Sequence, residues 1–209
     1  MSGTEELALH TADGCVLDAQ LARPAPGAAR PAAAVLCHPH PRFGGTMRSI
    51  VISALFEALP AMGHTTLRFD FRGVGRSSGE HSGGRDEPLD VVAALDGLRE
   101  RVGDVPVVLA GWSFGADVAL SVGDPRVGGW VAIAPPLRFA GDLAAVAADP
   151  RPKHVVLAGH DEFRPADEVA VAVAPWANTT VEVVAGASHF FVGRTDRVVD
   201  ATARFLARY

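Results

Sequence analysis

Val-Val-Leu-Ala-Gly-Trp-Ser-Phe-Gly-Ala-Asp-Val-Ala-Leu, residues 107–120, begins as a run of branched apolar side chains and ends in helix-forming ones. The first part reads as a buried strand and the second as a helix. Between them stands Gly111-Trp112-Ser113-Phe114-Gly115. A chain that turns from strand into helix through one Ser must hold that Ser in a strained backbone conformation. Only small residues two positions away on each side leave room for it, and Gly111 and Gly115 stand there. The stretch predicts a nucleophile elbow, with the Ser113 hydroxyl above the end of the strand. The pattern alone is moderately specific, and it gains weight from the strand before it and the helix after it. The plain alternative is a tight turn around an inert Ser.

Outward from this turn, strand and helix patterns alternate. Upstream, residues 5–10 and 15–22 flank Thr11-Ala12-Asp13-Gly14, a two-strand pattern joined by a tight Asp-Gly turn. Residues 23–31, rich in Pro, Ala and Gly, read as an exposed loop. An apolar strand at 32–37 runs straight into His38-Pro39-His40-Pro41. Apolar residues at Ile50, Val51, Ala54, Leu55, Ala58 and Leu59 predict a helix over 47–62. A strand at 65–69 ends in the glycine-rich turn 70–77. After a polar loop at 78–84, Pro88 opens a helix to about residue 101, with Asp86 and Glu87 near its positive end. Downstream of the elbow, strands at 130–134, 154–158 and 180–184 alternate with helices at 143–148, 165–173 and 196–207. The order predicts one α/β domain over residues 1–209. Its central sheet has about eight mostly parallel strands and an N-terminal hairpin, with helices on both faces and ligands at the carboxyl ends of the strands.

Composition narrows the classes of function. The chain's 209 residues suffice for one domain with a substantial core. A formal charge of −5, with no basic cluster, argues against a nucleic-acid surface. Cys15 and Cys37 form no zinc-ligand spacing and read as reduced thiols. The acidic start, residues 1–6, lacks the basic-then-apolar order of a signal peptide. No apolar run approaches the roughly 20 residues that cross a bilayer. A cytoplasmic protein without nucleic-acid or membrane partners is expected.

A Ser becomes nucleophilic when a neighbouring base takes its proton, and an imidazole does this best near neutral pH. An acid must then hold the imidazole in one tautomer. In this topology the partners follow in the order Ser, acid, His at later strand ends. Asp161 follows the strand at 154–158, and His189 follows the strand ending at Val184. Glu162 and Asp167 are the competing carboxylates, while His160 precedes the acid and reads as a loop residue. The bland alternatives are a loop-capping acid and a surface histidine.

The reaction also needs two backbone N–H groups facing the developing oxyanion, and losing one costs about 3 kcal/mol. Phe114, after the nucleophile, supplies one. In His38-Pro39-His40-Pro41 the prolines have no N–H; His38 and His40 remain, and His40, further into the turn, is assigned as the second donor. A metal site on His38 and His40 lacks a third ligand at usable spacing, so their rings read as loop scaffolding. Gly73-x-Gly75 lacks the third glycine of a dinucleotide loop. Arg42, Arg48, Arg72 and Arg76 lie at the same strand ends, where they either attract an anionic substrate or serve as solvated loop charges.

These pieces resemble the α/β-hydrolase superfamily. More narrowly, the chain is similar to small lidless bacterial serine hydrolases that carry His-Pro-His-Pro before Gly-Gly-x-Met, near the dienelactone-hydrolase group. The matching stretches are His38-Pro39-His40-Pro41, Gly44-Gly45-Thr46-Met47, residues 69–77, Gly111-Trp112-Ser113-Phe114-Gly115, residues 161–165 and residues 186–191. The resemblance implies a serine hydrolase that cleaves esters or related acyl compounds through an acyl-enzyme, with Ser113, Asp161 and His189 as triad and no metal or organic cofactor. Two departures stand out. Dienelactone hydrolases use Cys where this chain has Ser113, so their substrate is not carried over. The loop before Asp161 is about one residue shorter than usual. Only residues 135–153 fill the interval where larger relatives insert a cap, which implies an open site. Phe43, Trp112, Phe114, Leu137, Phe139 and Phe190 are the candidate lining residues. The leading expectation is a carboxylesterase-like enzyme. An acyltransferase, thioesterase or perhydrolase using the same triad is the alternative, and a non-catalytic scaffold would require a damaged triad.

Overall fold

The inner strands of this chain bury both faces, so their side chains divide between two cores with a period of two. The computed structural model describes residues 3–139, 141 and 143–209. Its strands are β1 (Thr4–His10), β2 (Val16–Ala22), β3 (Ala33–Cys37), β4 (Thr66–Phe69), β5 (Val107–Trp112), β6 (Val127–Ile133), β7 (Lys153–Ala158) and β8 (Thr179–Val184). They form one sheet in the order β1-β2-β4-β3-β5-β6-β7-β8. The β1–β2 and β2–β4 pairs are antiparallel and every other pair is parallel. In β5, Val107 and Leu109 join one core, while Val108, Ala110 and Trp112 join the other.

Six helices cover the sheet: α1 (Ile50–Ala61), α2 (Glu87–Val102), α3 (Phe114–Ser121), α4 (Ala144–Ala148), α5 (Ala166–Val173) and α6 (Thr195–Leu206). Buried side chains of α1 and α6 belong to one core, and those of α2, α3, α4 and α5 to the other. The expected α/β architecture is therefore present, with elements close to their predicted limits.

Three limits differ for physical reasons. Helix α1 starts at Ile50 rather than 47, because Asp70 Oδ1 accepts the Met47 N–H at 2.7 Å and Ser49 Oγ accepts the Thr46 N–H at 3.0 Å. Those bonds hold residues 46–49 as a turn. The hairpin connection is a loop, 11–15, and not a two-residue Asp-Gly turn. Thr11 Oγ1 takes the Cys15 N–H, and Asp13 reaches the Arg72 guanidinium at 2.8 Å. Strand β6 starts at Val127, three residues before the expected start, and includes Gly128 and Gly129. Glycine weakens a strand pattern in sequence, yet a Cβ on Gly129 would lie 2.6 Å from Pro152 O and 2.8 Å from Tyr209 Oη.

Candidate active site

The carboxyl ends of β5, β7 and β8 meet at one place. Ser113, between β5 and α3, has φ 55° and ψ −121°, a strained conformation that costs on the order of 1–3 kcal/mol. Its N–H is tied to Ile133 O at 2.8 Å. The flanking glycines are required by space. A Cβ on Gly111 would sit 2.2 Å from Gly115 O, and one on Gly115 would sit 2.3 Å from Cys37 O. The expected turn is present, and Ser113 remains half-buried rather than sealed.

The loops after β7 and β8 bring the two expected partners to it. His189 Nε2 lies 3.0 Å from Ser113 Oγ, and His189 Nδ1 lies 2.8 Å from Asp161 Oδ2. Asp161 Oδ1 accepts the N–H groups of Phe163 and Arg164 at 2.9 and 3.1 Å. Burial alone would raise the Asp161 pKa, but the His189 bond and these two N–H groups hold it below the usual carboxylate range. Glu162, the competing acid, accepts the His189 backbone N–H at 3.0 Å, and Trp112 Nε1 donates to His189 O at 3.1 Å. The histidine is therefore held at its ring and at both backbone polar groups. Asp167 stands in the first turn of α5 and His160 is exposed.

The loop after β3 forms the opposite wall. His38 is fully buried. Its Nδ1 donates to Pro39 O at 2.6 Å, and its Nε2 accepts the Phe71 N–H at 3.0 Å. Burial lowers its pKa to about 4, so the ring is a neutral brace. His40 O accepts the Phe43 and Gly45 N–H groups. Neither the His40 nor the Phe114 N–H meets an acceptor among the described residues. Of the four loop arginines, Arg72 is buried against Asp90 (2.7 Å) and Asp13, and Arg76 pairs with Asp18 (2.8 Å). Arg72 braces the fold, whereas Arg76 keeps a largely exposed side chain beside its pair. Arg42 and Arg48 are exposed.

A cavity of about 400 Å³ opens over Ser113 and His189. Phe43, Trp112, Phe139 and Phe190 line it as expected, together with Ile50 and Phe163. Phe43 is 85% exposed and Phe163 52%, so the rim is apolar and open. Leu137 does not line the cavity. Its N–H is bound by Asp117 Oδ1 and its side chain packs on the core beneath. Asp117 Oδ2 also takes the Arg138 and Phe139 N–H groups, at 2.7 and 2.9 Å. Phe114 is fully buried and likewise outside the lining.

The sequence matches the Hydrolase_4 family, described as serine aminopeptidase, S33, over residues 30–169. The chain belongs to this family of serine hydrolases. An uncharacterised Rickettsia prowazekii protein is 32% identical to the hydrolase over 184 residues, 83% of this chain and 77% of its own. An α/β serine hydrolase homologue from Coxiella burnetii is 33% identical, covers 99% of this chain and 98% of its own, and superposes with a TM-score of 0.85. XC6422 from Xanthomonas campestris, an α/β serine hydrolase without a lid, is 28% identical over 99% of this chain and 96% of its own, with a TM-score of 0.87. In the present hydrolase, α4 is the one helix between β6 and β7 among the described residues. No helix among them is long and apolar enough to cross a membrane. The cysteines are free, and burial pushes the Cys37 thiol up.

The hydrolase also holds a pair, His81 and Glu87, of which sequence reading names only Glu87, as an acid near a helix start. Glu87, fully buried at the start of α2, accepts the Ser82 N–H, the Ser82 hydroxyl and the Gly84 N–H at 2.6–2.8 Å. Burial would raise its pKa, yet these bonds lower it overall. His81 Nδ1 lies 2.7 Å from Glu87 Oε1 without forming an aligned hydrogen bond.

Proposed function

We propose that this hydrolase cleaves carboxylic esters of apolar acyl groups through an acyl-enzyme on Ser113. The observation that carries the reading is the unbroken series Ser113 Oγ, His189 ring, Asp161 carboxylate at 3.0 and 2.8 Å beneath an apolar cavity. Ser113 Oγ attacks the ester carbonyl and its proton passes to His189 Nε2. The charge that forms on the carbonyl oxygen is held by the His40 and Phe114 N–H groups, each worth about 3 kcal/mol. His189 returns the proton to the departing alkoxide. Water then attacks the acyl-enzyme by the same route, and His189 again carries the proton. Asp161, whose carboxylate the His189 bond and two backbone N–H groups favour, accepts from Nδ1–H and stabilises the imidazolium.

The cavity favours esters over N-terminal peptides. A free α-ammonium group requires an acid to receive it, and no carboxylate lines the cavity among the described residues. Glu162, the acid next to Asp161, accepts the His189 N–H and lies outside the lining. An open mouth with half-exposed Phe163 and exposed Phe43 suits an apolar acyl chain lying partly on the surface. An acceptor other than water would use the same acyl-enzyme, and product analysis with competing alcohols, thiols and peroxide identifies it.

The test is labelling with a fluorophosphonate. The wild-type chain is expected to be labelled at Ser113 and to hydrolyse p-nitrophenyl butyrate, and Ser113→Ala to lose both. Labelling that persists in Ser113→Ala overturns the reading.

A further inference from the structure

The ring of His81 touches both residues assigned above to the oxyanion. Its centroid lies 4.9 Å from that of His40 and 5.2 Å from that of Phe114, edge-on to each. The His40 and Phe114 rings are themselves 5.0 Å apart, and Phe139 closes the group at 4.9 Å from His40 and 5.5 Å from Phe114. Edge-to-face contacts at these separations are worth about 0.5–1.5 kcal/mol each. His40 and Phe114 come from different strand ends, β3 and β5, and no aligned backbone bond joins them directly. The β3–β5 ladder, ending at Cys37 beside Gly111, sets the strand ends, and beyond it the ring contacts tie the two donor-bearing residues together.

His81 sits on a loop that has no strand or helix of its own, so something else must hold it. Glu87 does this. Its two carboxylate oxygens gather Ser82 N, Ser82 Oγ, Gly84 N and His81 Nδ1 within 2.6–2.8 Å. A buried carboxylate is tolerated only when it is hydrogen-bonded, and this one accepts three bonds from Ser82 and Gly84 of that loop. The loop is thereby pinned to the first turn of α2 while its histidine ring packs, nearly buried, against His40 and Phe114.

We propose that His81, held in place by Glu87, is a positioning residue for the oxyanion hole, setting the separation of the His40 and Phe114 donors. The inference rests on the ester-hydrolase reading given above. A donor removed outright costs 10²–10³ in kcat, so donors loosened but present are expected to cost roughly tenfold.

Three variants are compared with wild type on p-nitrophenyl butyrate and on an alkylboronic acid, which imitates the tetrahedral oxyanion. His81→Ala is expected to lower kcat by about tenfold with KM within about twofold, and to weaken boronate binding in proportion to kcat/KM. His81→Phe, which keeps a ring, is expected to restore kcat to within about threefold. His81→Asn, which keeps a polar group near Glu87 but no ring, should behave like His81→Ala. Wild-type kcat in His81→Ala, a loss appearing in KM alone, or recovery in the Asn rather than the Phe variant overturns the inference. If His81→Ala does not fold, the Phe and Asn variants decide between the same outcomes. Should the wild-type Ser113 fail to label, the underlying reading falls instead; labelling with an unaltered His81→Ala removes the positioning role alone.

Discussion

Two histidine–carboxylate pairs flank the Ser113 turn at nearly equal separations, 2.8 Å for His189–Asp161 and 2.7 Å for His81–Glu87. They differ in what surrounds the imidazole. His189 has an aligned bond to its acid and presents Nε2 to Ser113 Oγ at 3.0 Å. His81 has no aligned bond among the described residues, and its ring edges meet the aromatic rings of His40 and Phe114. The carboxylates differ as well. Asp161 holds its histidine with one oxygen, and Glu87 spends both of its oxygens on its loop. A histidine beside an acid is therefore no mark of proton transfer in itself. The third partner decides whether the pair moves a proton or holds a wall.

The largest expected effect tests the side of the contrast that carries the proton. His189→Ala is expected to reduce p-nitrophenyl acetate hydrolysis by a thousandfold or more, and Asp161→Asn by at least about a hundredfold. Glu162→Gln keeps an acceptor for the His189 N–H, and its rate should stay within about threefold. A full rate in Asp161→Asn, or collapse in Glu162→Gln, would exchange the two acids.

A smaller effect concerns His38, a histidine with no acid in hydrogen-bond contact. Its folded pKa of about 4 lies below the unfolded value near 6.5, so the unfolded chain binds the proton more tightly. Its neutral form contributes stability that is present above about pH 6.5 and is lost as pH falls towards 4, by up to about 3 kcal/mol. Urea unfolding of wild type and His38→Gln at pH 7 and pH 4.5 should show a shallower pH dependence in the variant. Equal slopes would mean that His38 does not titrate with folding.

The smallest effect lies at the rim. The Phe163 ring packs 4.7 Å from His189 and 5.9 Å from Phe190 while half exposed. Phe163→Ala is expected to raise KM for p-nitrophenyl butyrate by about fivefold, with kcat within about threefold. A fall in kcat of a hundredfold would transfer Phe163 from binding to support of the histidine.

The sheet and the three converging strand ends were legible because both are written in local pattern. Apolar runs mark the parallel strands, and Gly111 and Gly115 mark a turn that excludes any Cβ. His189 and Asp161 followed from their places after β8 and β7. The rest depended on contacts between segments far apart in the chain. Glu87 at a helix start reads as a partner of the helix dipole, and only the folding of 82–84 around it reveals its burial. Leu137 was read as lining because it is apolar and near the site. Its backbone, at φ 54°, is set by Asp117 from another element. Arg72 read as a loop charge because its partners, Asp13 and Asp90, stand 59 and 18 residues away.

Asp117 has a further consequence. One carboxylate on the helix behind the nucleophile takes three successive amides of the segment bearing Arg138 and Phe139. The anchor uses main-chain groups alone, so it is indifferent to which side chains that segment carries. Selectivity can thus shift by exchange of the residue at 138, which lines the cavity, while the attacking oxygen stays where it is; Phe139 is tied to the rings of His40 and Phe114.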